Sequence, residues 1–319
     1  MSEQLSETGA VAQNVVERAV SFDVQGSEVC GIYSAPANAE PKHAVIFTHG
    51  WSGNRNGPAG LLTTISRALA AKGCACLRFD FRGRGESQGD GLKATLATMS
   101  DDLQMASQKL MELTGLKHIT LFGMCSGGNI AIGSLKKLPQ ADSMVMLSVY
   151  PFSDGDSFSR DVHRTWHFLK VYLYKACSLQ TWKRLFAGEA SLARVFKVIF
   201  KPFLKRGESK KHEEGTPEPQ AQAAKSKTVK ASNNESRLQA GQEPPKKYLT
   251  NLRKDLPGLM IYGTADPDAE AALKYYKTYA EEQQLPITFT RIDGANHNFS
   301  SAQWHSQLTK MACDFLIQK

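Results

Sequence analysis

Short apolar runs alternate along the chain with longer segments whose apolar residues recur every three or four positions. Residues 44–48 and 119–122 are apolar or β-branched runs, as expected of strands buried on both faces of a sheet. Residues 58–71 carry apolar residues at helical spacing and end before a glycine. Further strands are predicted over 22–24, 29–33, 74–81, 144–149, 259–262 and 287–292, and helices over 99–113, 269–282 and 301–317. The alternation predicts an α/β fold, with a mostly parallel sheet flanked by helices and an antiparallel pair at its start.

The alternation is interrupted in the second half of the chain. Residues 155–206 contain three segments with helical apolar stripes, which predict an inserted helical cap. Residues 207–247 are dominated by Lys, Glu, Ser, Gln and Pro, a composition that predicts a disordered linker. The predicted organisation therefore places a flexible N-terminus at 1–20, the first part of the α/β core at 21–154 and its second part at 248–319.

Length and composition exclude several classes of protein. A chain of 319 residues can bury one large core, and no stretch approaches 18 consecutive apolar residues, which argues against a membrane-spanning helix. The polar N-terminus has no apolar region typical of a secretory signal. Six cysteines lack the spacing of a zinc site or a disulfide framework. A cytoplasmic protein without a metal or organic cofactor is predicted.

The positive charge is confined to one segment. Residues 156–211 contain 13 Lys and Arg against 4 Asp and Glu, a net charge of +9, while the rest of the chain has a net charge of −1. The simplest interpretation is a cap with a solvated basic face. The alternative is weak contact with anionic lipid at the inner face of the membrane. No nucleic-acid-binding motif accompanies the charge, so no nucleic-acid partner is expected.

The segment with the most direct chemical meaning follows the predicted strand 119–122. Its sequence is Gly123-Met124-Cys125-Ser126-Gly127-Gly128, and a helical pattern follows. A strand, a tight turn and a helix are the context of a nucleophile elbow, where only small residues fit two positions before and two after the nucleophile. Glycines hold those positions around Cys125, whereas a window centred on Ser126 would place Met124 in one of them. The spacing therefore favours Cys125 as the nucleophile.

This turn has two other interpretations. A cysteine among glycines is commonly a small buried apolar residue without chemistry. Glycine-rich turns between a strand and a helix also bind dinucleotides, but the required G-x-G-x-x-G spacing fails because Cys125 stands where the second glycine is needed. Motifs elsewhere in the chain favour catalysis.

Four motifs in order along the chain resemble those of the α/β-hydrolase family. His49-Gly50-Trp51-Ser52-Gly53 follows an early strand, as the oxyanion-hole loop of that family does, and residues 80–87 match its D-x-R-G-x-G-x-S segment. After the elbow, Asp266 follows one late strand and His297 follows the last, in the family order of nucleophile, acid and histidine. The cysteine elbow is similar to that of dienelactone hydrolases, polyhydroxyalkanoate synthases and exosortase-system-associated hydrolases.

The resemblance implies a role for each of these residues. Cys125 would be the nucleophile, His297 the general base and acid, and Asp266 the group that orients and stabilises the imidazole. The backbone N–H groups of Trp51 and Ser126 would face the oxyanion.

Other roles for these residues remain open. Asp266 would then only cap the helix that follows, a role for which Asp268 competes, and His297 would be an exposed loop histidine. Asp154 is a rival acid, and His49 would only order its loop.

The sequence therefore predicts a cysteine-nucleophile hydrolase of an ester, thioester or lactone, of the carboxylesterase or thioesterase type. Its substrate would be a small or lipid-like acyl compound. An acyltransferase with the same triad and a non-catalytic binding protein with the same fold are the alternatives.

Overall fold

The computed structural model describes residues 14–151 and 247–317. The predicted cap at 155–206 and the predicted linker at 207–247, apart from Lys247, lie outside the described residues, as does the rival acid Asp154. Lys247 itself begins a short 3-10 helix, Lys247–Asn251, whose Leu249 is buried. The second part of the core therefore begins one residue before its predicted boundary.

The described residues form one eight-stranded sheet in the order β1-β2-β4-β3-β5-β6-β7-β8. The strands are β1 (Val15–Val24), β2 (Ser27–Pro36), β3 (His43–Thr48), β4 (Cys74–Phe79), β5 (Ile119–Met124), β6 (Ala141–Leu147), β7 (Gly258–Gly263) and β8 (Ile287–Ile292). β2 pairs antiparallel with β1 and β4, and the remaining neighbours are parallel. The predicted mostly parallel sheet is confirmed. Because β3 to β8 are parallel, their carboxyl ends meet at one edge of the sheet.

Helices cover both faces of the sheet. They are α1 (Leu61–Ala71), α2 (Leu96–Thr114), α3 (Ser126–Ser134), α4 (Ala269–Gln283) and α5 (Ala302–Ile317). Buried residues of α1 and α5 share one core cluster with β3, β5 and β7, and those of α2, α3 and α4 share a second cluster on the other face. The continuous apolar runs of the central strands supply both clusters, since alternate side chains of a strand point to opposite faces.

The expectation of a flexible N-terminus over 1–20 is wrong for residues 15–20, which belong to β1. β1 pairs with β2 from Val15 opposite Pro36 to Val24 opposite Ser27. Its residue Glu17 accepts hydrogen bonds from Arg78 at 2.9 Å and from Arg67 at 2.7 Å. The polar residues that suggested a flexible terminus therefore lie on an edge strand, and the ion pairs of Glu17 hold this strand against the rest of the protein.

Two strand boundaries near the site differ from the prediction. β5 continues to Met124 and leads directly into the elbow. β6 ends at Leu147 instead of residue 149, because Ser148 adopts a φ of 45°, which an extended strand does not accommodate. Both differences lie at the carboxyl edge of the sheet, where the candidate catalytic residues are found.

Candidate active site

The elbow between β5 and α3 places Cys125 at the carboxyl edge of the sheet. Cys125 has a φ of 54° and a ψ of −129°, which is unusual for a residue other than glycine. A Cβ on Gly127 would lie 2.4 Å from the carbonyl oxygen of Thr48, and one on Gly123 would lie 2.5 Å from the Cα of Gly128. Glycine is therefore required two positions on either side of Cys125, which is the register that the sequence predicts.

The loops after β7 and β8 bring the predicted acid and histidine together. His297 Nδ1 lies 2.8 Å from Asp266 Oδ2, and the Asp266 side chain is almost fully buried. The other carboxylate oxygen of Asp266 accepts the backbone N–H of Asp268 at 3.1 Å. The backbone N–H of Ala265 donates to the carbonyl oxygen of Ala295 at 2.9 Å and ties the two loops to each other. Asp266 thus orients the imidazole besides accepting a backbone hydrogen bond at the start of α4.

The side chains of Cys125 and His297 interact electrostatically and affect each other's ionisation. Burial opposes ionisation of the thiol, but the hydrogen bond and positive charge of His297, with the backbone N–H of Ser126, lower the pKa of Cys125. Burial likewise opposes protonation of the imidazole, but Asp266 and Cys125 raise the pKa of His297 to about 10. Both shifts favour a thiolate–imidazolium pair at neutral pH.

The two backbone N–H groups expected to face the oxyanion are those of Trp51, in the loop after β3, and Ser126, in the elbow. Both are hydrogen-bonded within the protein. The backbone N–H of Trp51 donates to Ser126 Oγ at 2.6 Å. The backbone N–H of Ser126 is hydrogen-bonded to Cys125. In this structure both expected oxyanion donors therefore have partners within the protein. The Trp51 N–H has this partner because the residue after Cys125 is a serine, whose hydroxyl reaches the loop after β3.

The remaining polar residues of the motifs hold loops in place. His49 is buried, and its ring bonds the carbonyl oxygen of Gly50 at 2.7 Å and the backbone N–H of Phe81 at 3.3 Å. Its burial lowers its pKa, so His49 is neutral and orders its loop. Buried Asp80 accepts from the backbone and the guanidinium of Arg55. These residues shape the loops around the elbow without contacting the sulfur of Cys125.

Sequence reasoning missed one residue near the nucleophile, Tyr150. Its hydroxyl lies 3.9 Å from Cys125 Sγ, and its ring centroid lies 6.1 Å from that of His297. Tyr150 follows β6 and belongs to none of the recognised motifs. The only sequence signal was its position just after a central parallel strand, where ligands and substrates of such sheets bind.

The described part of the chain contains no candidate metal site and no candidate membrane-spanning helix. No group of three His, Cys, Asp or Glu residues within 14–151 and 247–317 could hold a metal ion. No helix among these residues is both long enough and apolar enough to cross a bilayer.

Comparisons with known proteins agree with this fold. Residues 43–174 match the family model described as alpha/beta hydrolase fold. Similar solved structures include an esterase from Pyrococcus furiosus, with 15% identity, a TM-score of 0.58 and coverage of 97% of this chain and 93% of that one. A dienelactone hydrolase from Anabaena variabilis has 15% identity, a TM-score of 0.54 and coverage of 96% and 98%. Est1E from Butyrivibrio proteoclasticus, solved with ferulic acid, has 15% identity, a TM-score of 0.53 and coverage of 94% and 98%. No curated protein matches the sequence.

The described residues have the α/β-hydrolase fold, as the sequence motifs predict.

Proposed function

We propose that this protein is a hydrolase that uses Cys125 as the nucleophile to cleave an ester, a thioester or a lactone. The observation that carries the proposal is the hydrogen bond between His297 and Asp266, together with the mutual effect of Cys125 and His297 on their ionisation, in three loops at one edge of the sheet. A nucleophile, a base bonded to it and a third group that orients the base form the arrangement required for covalent acyl chemistry.

The proposed reaction has two steps that share one acyl-enzyme. In the first, the thiolate of Cys125 attacks the carbonyl carbon, a C–S bond forms, and the leaving oxygen or sulfur departs with the proton of His297. In the second, His297 takes a proton from water as the water attacks the thioester. The C–S bond then breaks, and its electron pair returns to sulfur. Asp266 stabilises the imidazolium in both steps.

The oxyanion of the reaction needs hydrogen-bond donors, and the backbone N–H groups expected to supply them already donate within the protein. The Trp51 N–H binds Ser126 Oγ, so a bound carbonyl must either displace that hydroxyl or accept a hydrogen bond from it. Loss of one such donor costs about 3–4 kcal/mol in comparable enzymes. The Ser126 hydroxyl can donate while it accepts from Trp51, which makes it a suitable partner for the oxyanion.

The structural neighbours support esters and lactones as the substrate class. An esterase and a dienelactone hydrolase share this fold across more than nine tenths of both chains. A thioester intermediate also reacts with amines, alcohols and thiols, so acyl transfer from the same acyl-enzyme is the alternative reaction.

A panel of p-nitrophenyl esters with increasing acyl length tests this function. We expect hydrolysis by the wild type, loss of it after iodoacetamide treatment and loss of it in Cys125→Ala. Cys125→Ser should retain much less activity than the wild type. Cys30→Ala is a matched control, because burial raises the pKa of that half-buried thiol and no catalytic group contacts it.

Added amines, alcohols and thiols separate hydrolysis from transfer. Mass spectrometry of the products should show the free acid at every acceptor concentration. Products that change with acceptor concentration would favour an acyltransferase. No turnover and no acylation with any ester of the panel would contradict the proposal and favour a binding protein with this fold.

A further inference from the structure

The segment after β6 is held rigidly beside the elbow. Ser148 is buried and adopts a φ of 45°, a strained conformation for a residue other than glycine that is often found at functional sites. Two buried side chains then bind the backbone that follows. Tyr262 Oη donates to the carbonyl oxygen of Val149 at 2.9 Å, and Asn129 Nδ2 donates to that of Tyr150 at 2.6 Å.

A second layer fixes Asn129 in turn. The hydroxyl of Tyr276 donates to Asn129 Oδ1 at 2.7 Å and lies 3.3 Å from the hydroxyl of Tyr248. Asn129 and Tyr276 are buried, so these bonds are shielded from water. The backbone of Tyr150 is therefore fixed from both sides, and its side chain lies over the elbow.

The side chain of Tyr150 is directed at the nucleophile. Its hydroxyl oxygen lies 3.9 Å from Cys125 Sγ and accepts a hydrogen bond from the thiol; a thiolate, which has no proton, can only accept one from the tyrosine hydroxyl. The other groups that favour the thiolate are the imidazole of His297 and the backbone N–H of Ser126. Hydrogen bonds at catalytic sites are often long without a substrate and shorten when the site is charged or occupied.

We propose that Tyr150 is a further catalytic residue, whose hydroxyl donates a hydrogen bond to the sulfur of Cys125 and helps to keep it a thiolate. The inference rests on the proposed function for its biological meaning, because a stabilised thiolate serves acyl chemistry. No proton is transferred in this role. The phenol keeps its proton, and His297 alone exchanges protons with the substrate and water.

This role has opposing effects on two measurable quantities. A donor to the thiolate lowers the pH at which Cys125 ionises. It also makes each thiolate less nucleophilic, because the nucleophilicity of thiolates falls with their pKa. Removal of the hydroxyl should therefore reduce the reactivity of Cys125 at low pH, while at high pH the reactivity should remain equal or increase. A variant with a distorted site would lose reactivity at every pH.

The rate of Cys125 alkylation by iodoacetamide between pH 4 and 10 tests the proposal. For Tyr150→Phe we expect the midpoint of the pH profile to rise by about one pH unit, as for loss of one hydrogen bond to a charged group. The plateau at high pH should equal or exceed that of the wild type. Tyr279→Phe removes the hydroxyl of another partly buried tyrosine and should leave the profile unchanged. An unchanged midpoint in Tyr150→Phe, or a lower plateau, would overturn the proposal.

A second variant keeps the volume of the side chain. With 3-fluorotyrosine at position 150 the phenol is more acidic and a stronger donor, so the midpoint should fall below that of the wild type. A midpoint that stays or rises would contradict the role of the hydroxyl. Alkylation requires no ester substrate. A shifted midpoint in a protein that hydrolyses no ester would therefore overturn the proposed function while leaving the contact of Tyr150 with sulfur established.

Discussion

Replacement of Asp266 by asparagine tests how the acid supports the histidine. The change keeps the size of the side chain but removes the charge that lies 2.8 Å from His297 Nδ1. An asparagine amide can also favour the wrong tautomer of the imidazole, with its proton on the nitrogen that must accept from the thiol or water. We expect Asp266→Asn to fold and to lose turnover.

The size of the loss follows from the ionisation of His297. Burial alone would lower the pKa of His297, but Asp266 and Cys125 raise it from 6.5 to about 10, which is equivalent to roughly 5 kcal/mol in favour of the imidazolium. This rise is what remains after the opposing effect of burial, and Asp266 and the sulfur of Cys125 both contribute to it. We expect turnover to fall by up to about 10⁴-fold, as for the corresponding change in serine proteases.

The pH dependence gives a second readout with a definite sign. In the wild type, kcat/KM should rise as Cys125 loses its proton and fall as His297 loses its own near pH 10. Without the carboxylate, the pKa of His297 falls, so the alkaline limb should move to lower pH. Steady-state hydrolysis of a p-nitrophenyl ester, corrected at each pH for the uncatalysed hydrolysis of the ester, measures both limbs.

Asp268→Asn is the matched control, because Asp268 lies two residues away at the start of α4 and takes no part in the hydrogen bond between Asp266 and His297. Its profile should resemble that of the wild type. Full activity in Asp266→Asn would refute the assigned acid. Loss of activity in Asp154→Asn instead would move the acid to the segment after β6.

Three further predictions concern the elbow, the N-terminal strand and the basic segment. Gly127→Ala should destabilise the protein by about 1–3 kcal/mol in urea denaturation and slow alkylation of the elbow cysteine, because the new Cβ would lie 2.4 Å from the carbonyl oxygen of Thr48; unchanged stability would contradict the close contact. Glu17→Gln should cost about 2 kcal/mol at neutral pH, because it leaves the buried guanidinium of Arg78 without its counter-charge. That cost should diminish as acid protonates Glu17 in the wild type, and an equal cost at every pH would refute the ion pair. If residues 156–211 contact membranes, the protein should sediment with phosphatidylserine vesicles at low salt and less at physiological salt; no enrichment on anionic vesicles at low salt would contradict membrane contact.

The elbow, Asp266 and His297 could be predicted from the sequence, because local geometry and the order of the strands determine where they lie. Gly123 and Gly127 identify the elbow because no Cβ fits there, and this requirement appears in the sequence as spacing. Asp266 and His297 follow strands, and parallel strands bring such positions to a common edge. Order along the chain was therefore sufficient to predict that these residues would meet.

The features that sequence did not predict depend on contacts between distant segments. Tyr150 reaches Cys125 through a turn at Ser148 and hydrogen bonds from Asn129, none of which has a local signature. The Ser126 hydroxyl binds Trp51 only because the loop after β3 lies against the elbow. Residues 15–20 of β1 were missed because the ion-pair partners of Glu17, Arg67 on α1 and Arg78 on β4, are distant in sequence.

The most direct test of the account is the identity of the residue that carries the acyl group. The wild type would be mixed with a p-nitrophenyl ester, quenched in acid within the first turnover and digested for peptide mass spectrometry. We expect one acyl group on Cys125, released by neutral hydroxylamine as a thioester, and no acylation in Cys125→Ala. An acyl group on Ser126, with activity retained in Cys125→Ala and lost in Ser126→Ala, would contradict the account.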